Sequence, residues 1–487
     1  MHADLRSHHS IVIVGGGFAG ALTAMKLLDR TEVPLSITIL EPREELGRGV
    51  AYSTTEAVHL VNGPAGTFSL HPEEPDHLTR WLADNASRYG WTLPADISAS
   101  FPPRHLYGTY VRDELSRAIA QARAGSTLRH IRSSASELIA APHRVRIKTG
   151  DGEQIEADEV VLALGVFQPD PAPREAPVAS HPAFAASAWD ATALDRLREA
   201  EEILLIGSSL SMVDAVASME ARGFRGRYHV ISRRGQFIED RRDAEPARDF
   251  LAEQPFPTTA RSLLSIIKSE RRALAAAGKD WQSLPMAIRP HILTLWQKAD
   301  DVERLRFARH LRAFWDVTAH RAAPDSYRAV TQASAEGRLQ HQTSRLIAMK
   351  PAGRRISATL KSRTGVETRS FGGVIDCRGH QLHDWRRISD PFVRSLLESG
   401  EVRPHSTGFG IDATVDGDII SEEGRIHRNI SAIGHPLRGV AWESSSITEQ
   451  RAQAIALADR ILGKLTPVAL VASLRMAIKG THRRLHN

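Results

Sequence analysis

Cysteine is nearly absent from this chain of 487 residues, which contains only Cys377. One cysteine cannot form an internal disulfide, and it excludes a zinc or iron–sulfur centre built on cysteine ligands. We therefore expect a reducing compartment and a Cys377 side chain that only packs. Long apolar runs are also absent: nothing approaches the roughly 20 residues that span a bilayer, and residues 1–10 are polar rather than signal-like. These absences predict a cytoplasmic protein that does not attach to membranes.

Blocks of basic residues are missing too, although the net charge is +6. The arginines are scattered through helical segments without interleaved aromatic residues, so nucleic-acid binding is not predicted. A basic surplus fits phosphate-rich cofactors or an anionic substrate. With 42% apolar and 25% charged residues, a chain of this length should fold into two or three compact domains.

Residues 10–41 have the pattern of one βαβ unit, with an apolar strand, a glycine turn, an amphipathic helix and a second strand. Gly15, Gly17 and Gly20 form GxGxxG, in which the first two permit a tight bend and close approach of a pyrophosphate, and the third packs helix against strand. Glu41 follows the second strand, where a carboxylate accepts hydrogen bonds from an adenosine ribose. A plain glycine-rich turn would not explain Glu41.

The same pattern recurs over residues 203–234 and predicts a second Rossmann unit. Its turn begins at Gly207, but Ser209 and Met212 occupy the second and third glycine positions. The turn therefore departs from the consensus, and the repeat itself is the stronger signal.

Ser232, Arg233 and Arg234 stand after the second strand of this unit, where the first unit has its acid. Hydroxyl and guanidinium groups there can bind a 2′-phosphate, or the two arginines can simply be solvated. An acid at the first unit and basic groups at the second predict FAD and NADPH, respectively, as cofactors.

Longer sequence segments typical of dinucleotide-binding flavoproteins occur along nearly the whole chain. They are GGGFAGALTA from Gly15, GRGVAYSTTEAVHLVNGPAG from Gly47, FPPRHLYGTY from Phe101, VLALG from Val161, GSSLSMVD from Gly207, SRRG from Ser232, DCRGH from Asp376 and AIGHPLRGVAWESSSITEQRAQA from Ala432. With these runs the chain resembles the bacterial FAD/NAD(P)-binding protein family, which is related to class B flavin monooxygenases and to ornithine and lysine N-hydroxylases. The resemblance implies a flavin-dependent oxidoreductase and names no substrate.

The resemblance also implies roles for single residues. Gly15, Gly17, Gly20 and Glu41 correspond to contacts with the FAD phosphates and ribose, and Arg48 to a further FAD contact. Asn62 and Pro64 match a stretch beside the isoalloxazine ring. Gly165 ends the strand that leads from the FAD domain to the NADPH domain, and residues 374–379 resemble the strand that leads back.

Gly434 and Ser446 lie in a segment that resembles the strand and helix start that close over the flavin. Many two-dinucleotide flavoproteins carry Gly-Asp where this chain has Gly434-His435, so His435 either replaces that contact or lines the pocket. The FxGxxxH fingerprint of flavin-containing monooxygenases is absent. We take Asn62, His435 and Trp442 as catalytic candidates in one enclosed pocket.

The expected fold class is α/β with two Rossmann-type dinucleotide-binding domains. The FAD domain is discontinuous, residues 1–170 and 371–487, and the NADPH domain, residues 171–370, carries a helical insert at about 241–324. The insert either covers the cleft between the two dinucleotides or only packs against the rest of the fold and supports it. Arg104, His105 and Tyr107 either recognise a polar group or cap the following helix.

The expected activity is oxidation of a small molecule by FAD that NADPH reduces. The family relation favours a monooxygenase, of N-hydroxylating or related type, that uses molecular oxygen through C4a-hydroperoxyflavin. Alternatives are a flavin reductase or dehydrogenase without oxygen insertion, and a dinucleotide-binding redox sensor. No metal-ligand or Ser-His-Asp pattern is present, so zinc chemistry and hydrolysis are not predicted.

Overall fold

The computed structural model describes residues 9–141, 144–168, 171–253, 255–379 and 383–465. His380, the last residue of the DCRGH run, lies outside these residues. The strands are β1 (His9–Val14), β2 (Leu35–Leu40), β3 (Thr127–Ile131), β4 (Ala135–Ala140), β5 (Val145–Thr149), β6 (Gln154–Ala157), β7 (Glu159–Leu162), β8 (Phe184–Ala185), β9 (Glu202–Ile206), β10 (Arg227–Ser232), β11 (Leu339–Thr343), β12 (Arg345–Ala352), β13 (Arg355–Lys361), β14 (Val366–Phe371), β15 (Gly373–Asp376), β16 (Asp418–Ile420) and β17 (Ile426–Ala432).

The helices alternate with these strands in the first half of the chain and cluster in its centre. They are α1 (Phe18–Arg30), α2 (His77–Asn85), α3 (Arg104–Ala120), α4 (Ala191–Leu197), α5 (Leu210–Ala221), α6 (Ala260–Ala276), α7 (Ser283–Ile288), α8 (Ile292–Lys298), α9 (Asp301–Arg306), α10 (Arg312–Ala319), α11 (Pro324–Ala335), α12 (Pro391–Glu398) and α13 (Ile447–Gly463). A π-helical turn, Phe307–Leu311, joins α9 to α10.

A six-stranded sheet in the order β16-β17-β7-β1-β2-β3 forms the first half of the fold. All its neighbours pair in parallel except β16 and β17. Ile11 to Val14 are all buried, as a parallel strand covered on both faces requires. Helices α1, α3 and α13 pack on this sheet and on one another, so strands and helices from both ends of the chain share one core.

A five-stranded parallel sheet in the order β11-β10-β9-β15-β8 forms the second half. Its central strand β9 is buried like β1. Strand β15, which we expected to lead back to the first half, pairs with β9 and β8 and so belongs to this sheet. The fold is therefore α/β with two Rossmann-type sheets, as the sequence predicted. We propose that the boundary between the second and first domains follows Asp376.

Helices α6 to α10 form the insert, residues 260–319, and connect β10 to α11. The apolar residues of the insert lie in two small clusters rather than one large core, and they share these clusters with Phe250 and Leu251 and with Phe409 and Trp442. It contacts the C-terminal segment directly: the Trp296 indole donates to the Gly439 carbonyl at 2.7 Å, and the Trp315 indole to the Glu443 carboxylate at 2.7 Å. The Arg289 guanidinium also reaches Ser446 and Glu449, each at 3.1 Å.

Helix α5 joins the two halves through one of its faces. Asp214, Ser218 and Arg222 lie one turn apart along it. Asp214 binds Arg104, the Ser218 hydroxyl forms a 2.8 Å hydrogen bond with His59, and Arg222 pairs with Glu56 at 2.6 Å. Arg104 is buried in this contact, which leaves its guanidinium committed to Asp214 rather than to a ligand.

Candidate functional site

The first glycine turn is shaped by contacts that leave no room for side chains. Gly15 has φ +102°, and a Cβ on it would lie 2.3 Å from the Ala163 carbonyl oxygen. A Cβ on Gly20 would lie 1.9 Å from the Gly15 carbonyl oxygen, so helix α1 approaches the turn closely only because Gly20 is glycine. Gly17 precedes α1, whose first turn carries neither an acidic residue nor a side-chain cap. Its amide groups can therefore face a phosphate.

Glu41 lies directly after β2, beside this turn. Its Oε2 accepts a 3.0 Å hydrogen bond from the Gly16 amide, and its Oε1 accepts one of 3.1 Å from the Arg43 amide. These bonds fix the buried carboxylate next to the turn while each oxygen keeps a free lone pair. The arrangement suits hydrogen bonds from ribose hydroxyls.

Arg48 lies in the segment that closes on the glycine turn, since a Cβ on Gly17 would be 3.1 Å from the Cα of Gly49. The guanidinium of Arg48 donates to the His105 carbonyl at 3.1 Å and to the Thr109 hydroxyl at 3.2 Å. It also pairs with Glu45 at 2.6 Å. Arg48 thus holds its own segment against α3, and a direct FAD contact stays a prediction.

Gly434 lies where β17 ends, close to the start of α1 and to α13. A Cβ on Gly434, which has φ +77°, would come within 3.5 Å of Ala19 and of Gln450. The Gly434 amide donates to the Gln453 side chain at 3.0 Å. Ser446 caps α13 by accepting from the Glu449 amide at 3.3 Å. The first turns of α1 and α13 thus meet at the carboxyl ends of parallel strands, where open α/β sheets bind ligands.

A cavity at the same edge of the sheet is lined by His435. Its other lining residues are Gly165, Val166, Phe167, His383, Trp385 and Gly410. Gly165 follows β7 with φ +67°, and no atom lies within 4 Å of the place where its Cβ would be. His435 and Gly165, predicted separately from sequence, therefore share one wall.

Both histidines of this cavity are neutral at physiological pH. Burial lowers the pKa of His435 to about 3, and the Arg438 guanidinium contributes to the shift. Burial, Arg438 and Arg312 lower the pKa of His383 to about 2. The Arg312 guanidinium of α10 donates to the His383 Nε2 at 2.9 Å, which places the ring proton on Nδ1. The cavity thus offers neutral imidazoles that donate or accept hydrogen bonds and carry no charge.

The structure does not bring the other two catalytic candidates into this cavity. Asn62 is exposed, in a loop before a short 3₁₀ helix that Pro64 precedes. Trp442 is buried and lines a different cavity, formed with the helical insert. Asn62, His435 and Trp442 therefore do not line a common pocket within the described residues, and their catalytic roles stay predictions.

The second turn repeats the geometry of the first. Gly207 has φ +117°, and its Cβ would lie 2.6 Å from the Cys377 carbonyl oxygen. Ser209 precedes α5 with extended backbone, as Gly17 precedes α1, and again no side chain or acid caps the helix. Met212 is fully buried at the third glycine position. Cys377 is buried, as a packing residue would be, and this burial raises the pKa of its thiol.

Ser232 occupies the position in the second sheet that Glu41 occupies in the first. The two arginines that follow Ser232 have different surroundings. The Ser232 hydroxyl donates to the Gln236 carbonyl at 3.1 Å. Arg234 is held by the insert, where its guanidinium donates to the Arg309 and His310 carbonyls. Arg233 is exposed and forms no hydrogen bond or ion pair with a described residue. The two arginines are therefore not equivalent.

Arg233 faces further cations. Desolvation and the nearby guanidinium groups of Arg234, Arg345 and Arg378 lower its pKa. Arg378 itself is paired with Glu175 and Asp376. An anion placed beside Arg233 would relieve this repulsion among like charges.

Residues 12–167 match the model of the FAD-NAD(P)-binding family. This part of the chain is an FAD/NAD(P)-binding domain. The uncharacterized protein YdhS of Escherichia coli strain K12 is 29% identical over 237 residues, 47% of this chain. The match spans 41% of the length of that protein. No helix among the described residues is long and apolar enough to cross a membrane.

Solved structures share the two-domain architecture around the FAD/NAD(P)-binding domain. The ornithine N-hydroxylase of Kutzneria sp. 744, solved with reduced FAD, NADP⁺ and L-ornithine, is 13% identical, with a TM-score of 0.62 over 94% of this chain and 100% of that one. The FAD-bound cadaverine monooxygenase of Erwinia amylovora is 14% identical, with a TM-score of 0.66 over 94% and 95% of the two chains. The L-lysine 6-monooxygenase of Pseudomonas syringae is 16% identical, with a TM-score of 0.62 over 94% and 100%.

Sequence reasoning missed the residues that the insert brings to the FAD/NAD(P)-binding domain. Arg312 and His383 meet although they are far apart in the chain, and no motif marks either of them. Arg438 was included in a motif, but nothing indicated that it would stack over the Trp442 ring at 4.5 Å. The contact between Arg312 and His383 depends on how α10 folds back, which local patterns do not encode.

Proposed function

We propose that the chain is an FAD-dependent oxidoreductase that NADPH reduces and that oxygenates a small molecule. The observation that carries the proposal is the pair of turns with matching geometry and opposite chemistry: Glu41 stands beside the first and Arg233 beside the second. The oxidoreductase fold for FAD and NADP is shared with the solved flavoproteins.

FAD fits the first turn on three observations. The glycines at 15, 17 and 20 leave space for a pyrophosphate, α1 presents an uncapped N-terminus to it, and the Glu41 carboxylate is oriented by two backbone amides. Bound FAD would supply the redox chemistry. The chain would then position FAD, with Gly434 and the start of α13 beside the ring system.

NADPH fits the second turn because Arg233 has no anionic partner among the described residues while other guanidinium groups surround it. A 2′-phosphate at this point would accept charge-assisted hydrogen bonds from Arg233. NADH has no phosphate at this position of its ribose and so cannot form these contacts. The second turn therefore favours NADPH.

Oxygenation is supported by the relation to N-hydroxylating monooxygenases and by the cavity that His435 and His383 line. Neutral histidines can hydrogen-bond an uncharged amine or an oxygen atom without attracting an anion. A dry cavity would also slow the loss of reduced oxygen as peroxide. The second candidate is a reductase or dehydrogenase without oxygen insertion, which the Gly434-His435 pair and the missing FxGxxxH fingerprint favour.

The test is to reduce the FAD-loaded protein anaerobically with NADPH and to mix it with oxygenated buffer in a stopped-flow spectrometer. A monooxygenase should show a near-ultraviolet transient before the oxidised flavin spectrum returns, with a longer lifetime in the presence of NADP⁺. Direct return of the oxidised spectrum, with one peroxide formed per NADPH even when amine and carbonyl compounds are present, would reject oxygenation and support the reductase.

A further inference from the structure

A second cavity lies between the helical insert and the C-terminal segment. Its volume is about 570 Å³, part of which is open to solvent. Apolar and aromatic side chains form most of its wall, among them Leu263, Ile288, Leu295, Trp296, Phe307 and Trp442. Ligand sites are typically clefts lined mainly by apolar and aromatic side chains, and this space has that character.

The polar groups on the wall are already engaged in protein contacts. Glu303 accepts from the Ala260 amide at 2.8 Å and pairs with Arg306. Arg304 donates to the Trp296 carbonyl at 2.9 Å and to Asp301 at 3.0 Å. The charged residues of the cavity thus have partners, and an entering molecule would meet an apolar surface.

Trp442 differs from the other tryptophans of the wall. The indole NH groups of Trp296 and Trp315 donate to carbonyl and carboxylate oxygens of the C-terminal segment. The Trp442 indole is 2% exposed, and its NH has no hydrogen-bond partner among the described residues. A buried donor without an acceptor costs free energy, so the wall is less well satisfied at Trp442 than at the other two tryptophans.

Helix α6 covers this space without being packed like a core helix. Thr259 and Ser262 form a capping box at its start, so the helix is well specified. Yet none of its side chains is fully buried. Ile266 and Ile267 pack against the apolar cluster that contains Phe250 and Ile288. Leu263 lines the cavity and is only partly covered, so a bound apolar group would complete its burial.

Aromatic rings connect this cavity to the one that His435 lines. The Phe409 ring lies 5.3 Å from the Trp442 ring and 5.3 Å from the His383 ring, measured between centroids. His383 belongs to the wall of the His435 cavity, and Trp442 to the wall of the apolar one. The buried Phe409 ring therefore packs between the two cavities, and a molecule in the apolar cavity would lie one aromatic ring away from His383.

We propose that the apolar cavity binds an alkyl chain or aromatic ring of the substrate. The substrate class is then an amphipathic molecule with a substantial apolar part, rather than a short diamine or basic amino acid. The identification of the occupant as a substrate rests on the proposed function. The binding of an apolar molecule in this cavity does not depend on the proposed function.

The test is calorimetric titration of the purified FAD-containing protein with n-hexanol, n-octanol, n-decanol and benzyl alcohol. Each added methylene should lower Kd by about fourfold until the cavity is full. Benzyl alcohol tests a ring in place of a chain, and binding of either kind supports the proposal. Affinity that does not rise with chain length, together with no binding of benzyl alcohol, overturns it.

A pair of variants places the binding within the cavity. Ala299→Phe fills it from its wall, at a residue with extended backbone (φ −73°) that accepts a larger side chain. Ala275→Phe adds the same ring to an exposed position of α6. The first should weaken octanol binding at least tenfold and the second should leave it unchanged; equal binding by both variants would reject the site.

Octanol binding without oxygenation would refute only the proposed function, whereas oxygenation without octanol binding would refute only this inference.

Discussion

The guanidinium of Arg104 donates two hydrogen bonds, of 2.7 and 3.2 Å, to the carboxylate of Asp214. Arg104 begins α3 on the six-stranded sheet and Asp214 lies on α5 of the five-stranded sheet, so the pair crosses between the two halves. Both side chains are buried, the Trp189 indole adds a third donor to Asp214 at 2.8 Å, and the Arg104 Nε donates to the Leu60 carbonyl at 2.9 Å. A buried ion pair with several hydrogen bonds fixes geometry more than it adds stability.

Arg104→Met should lower the free energy of unfolding by about 3–5 kcal/mol, because it leaves the Asp214 carboxylate buried without its partner. The double variant Arg104→Met with Asp214→Leu should recover most of that loss, since no uncompensated charge remains. Urea unfolding of the three proteins measures both effects. A double variant as unstable as the single one would show that the packing around the pair, and not its charge, stabilises the contact.

Gly17→Val should abolish FAD binding. The added side chain starts 3.1 Å from the Cα of Gly49 and extends into the space in front of α1, where a pyrophosphate must sit. FAD released on denaturation, measured per mole of protein, gives the occupancy. Gly463→Ala, in the last turn of α13 with nothing within 4 Å of its Cβ, is the matched control and should bind FAD normally. Full occupancy in Gly17→Val would show that the turn does not hold FAD.

Arg233→Ala should reduce the preference for NADPH over NADH by roughly tenfold, the equivalent of about 1.4 kcal/mol for one lost charge-assisted contact. Arg234→Ala should change the preference less, because that guanidinium already binds the Arg309 and His310 carbonyls. Anaerobic flavin reduction with each nicotinamide gives kcat/KM for both variants. If Arg234→Ala had the larger effect, the nucleotide would have to displace Arg234 from the insert.

Acid should destabilise the protein through His383 and His435. An unfolded histidine takes up a proton near pH 6.5, whereas burial keeps these two neutral down to pH values of about 2 and 3. The unfolded chain therefore binds more protons below about pH 6.5, and stability falls as the pH drops from there towards 3. In His383→Gln, whose amide oxygen can still accept from Arg312, urea unfolding should show a shallower decline over that range. The same slope in both proteins would mean that His383 is accessible to protons in the folded state.

The elements of both sheets could be predicted because their signals are local. Continuous apolar runs marked β1 and β9, and the glycines marked the turns that follow. The register of the strands then placed Glu41 and Ser232 at equivalent points, since Val14 pairs with Leu40 and Ile206 with Ile231. The fold class and the pair of dinucleotide turns needed no long-range information.

The candidate pocket could be predicted only in part, because its walls come from distant segments. Gly165 and His435 meet because β7 and β17, the strands that precede them, are neighbours in the sheet. Trp442 is only seven residues beyond His435, yet it turns towards the Trp296 ring of the insert, at 4.9 Å. That contact depends on the packing of α8, and no spacing in the sequence encodes it. The same holds for Arg234, whose partners are backbone carbonyls.

The insert belongs by chain connectivity to the half that holds the second turn, but its Trp296, Trp315 and Arg289 side chains bind the half that holds the first. A hinge rotation of one half against the other would have to break these bonds and the Arg104–Asp214 pair together. The two halves are thus joined at two separate places, by the insert and by α5. Moving the nucleotide turns closer together or farther apart would require both sets of contacts to break.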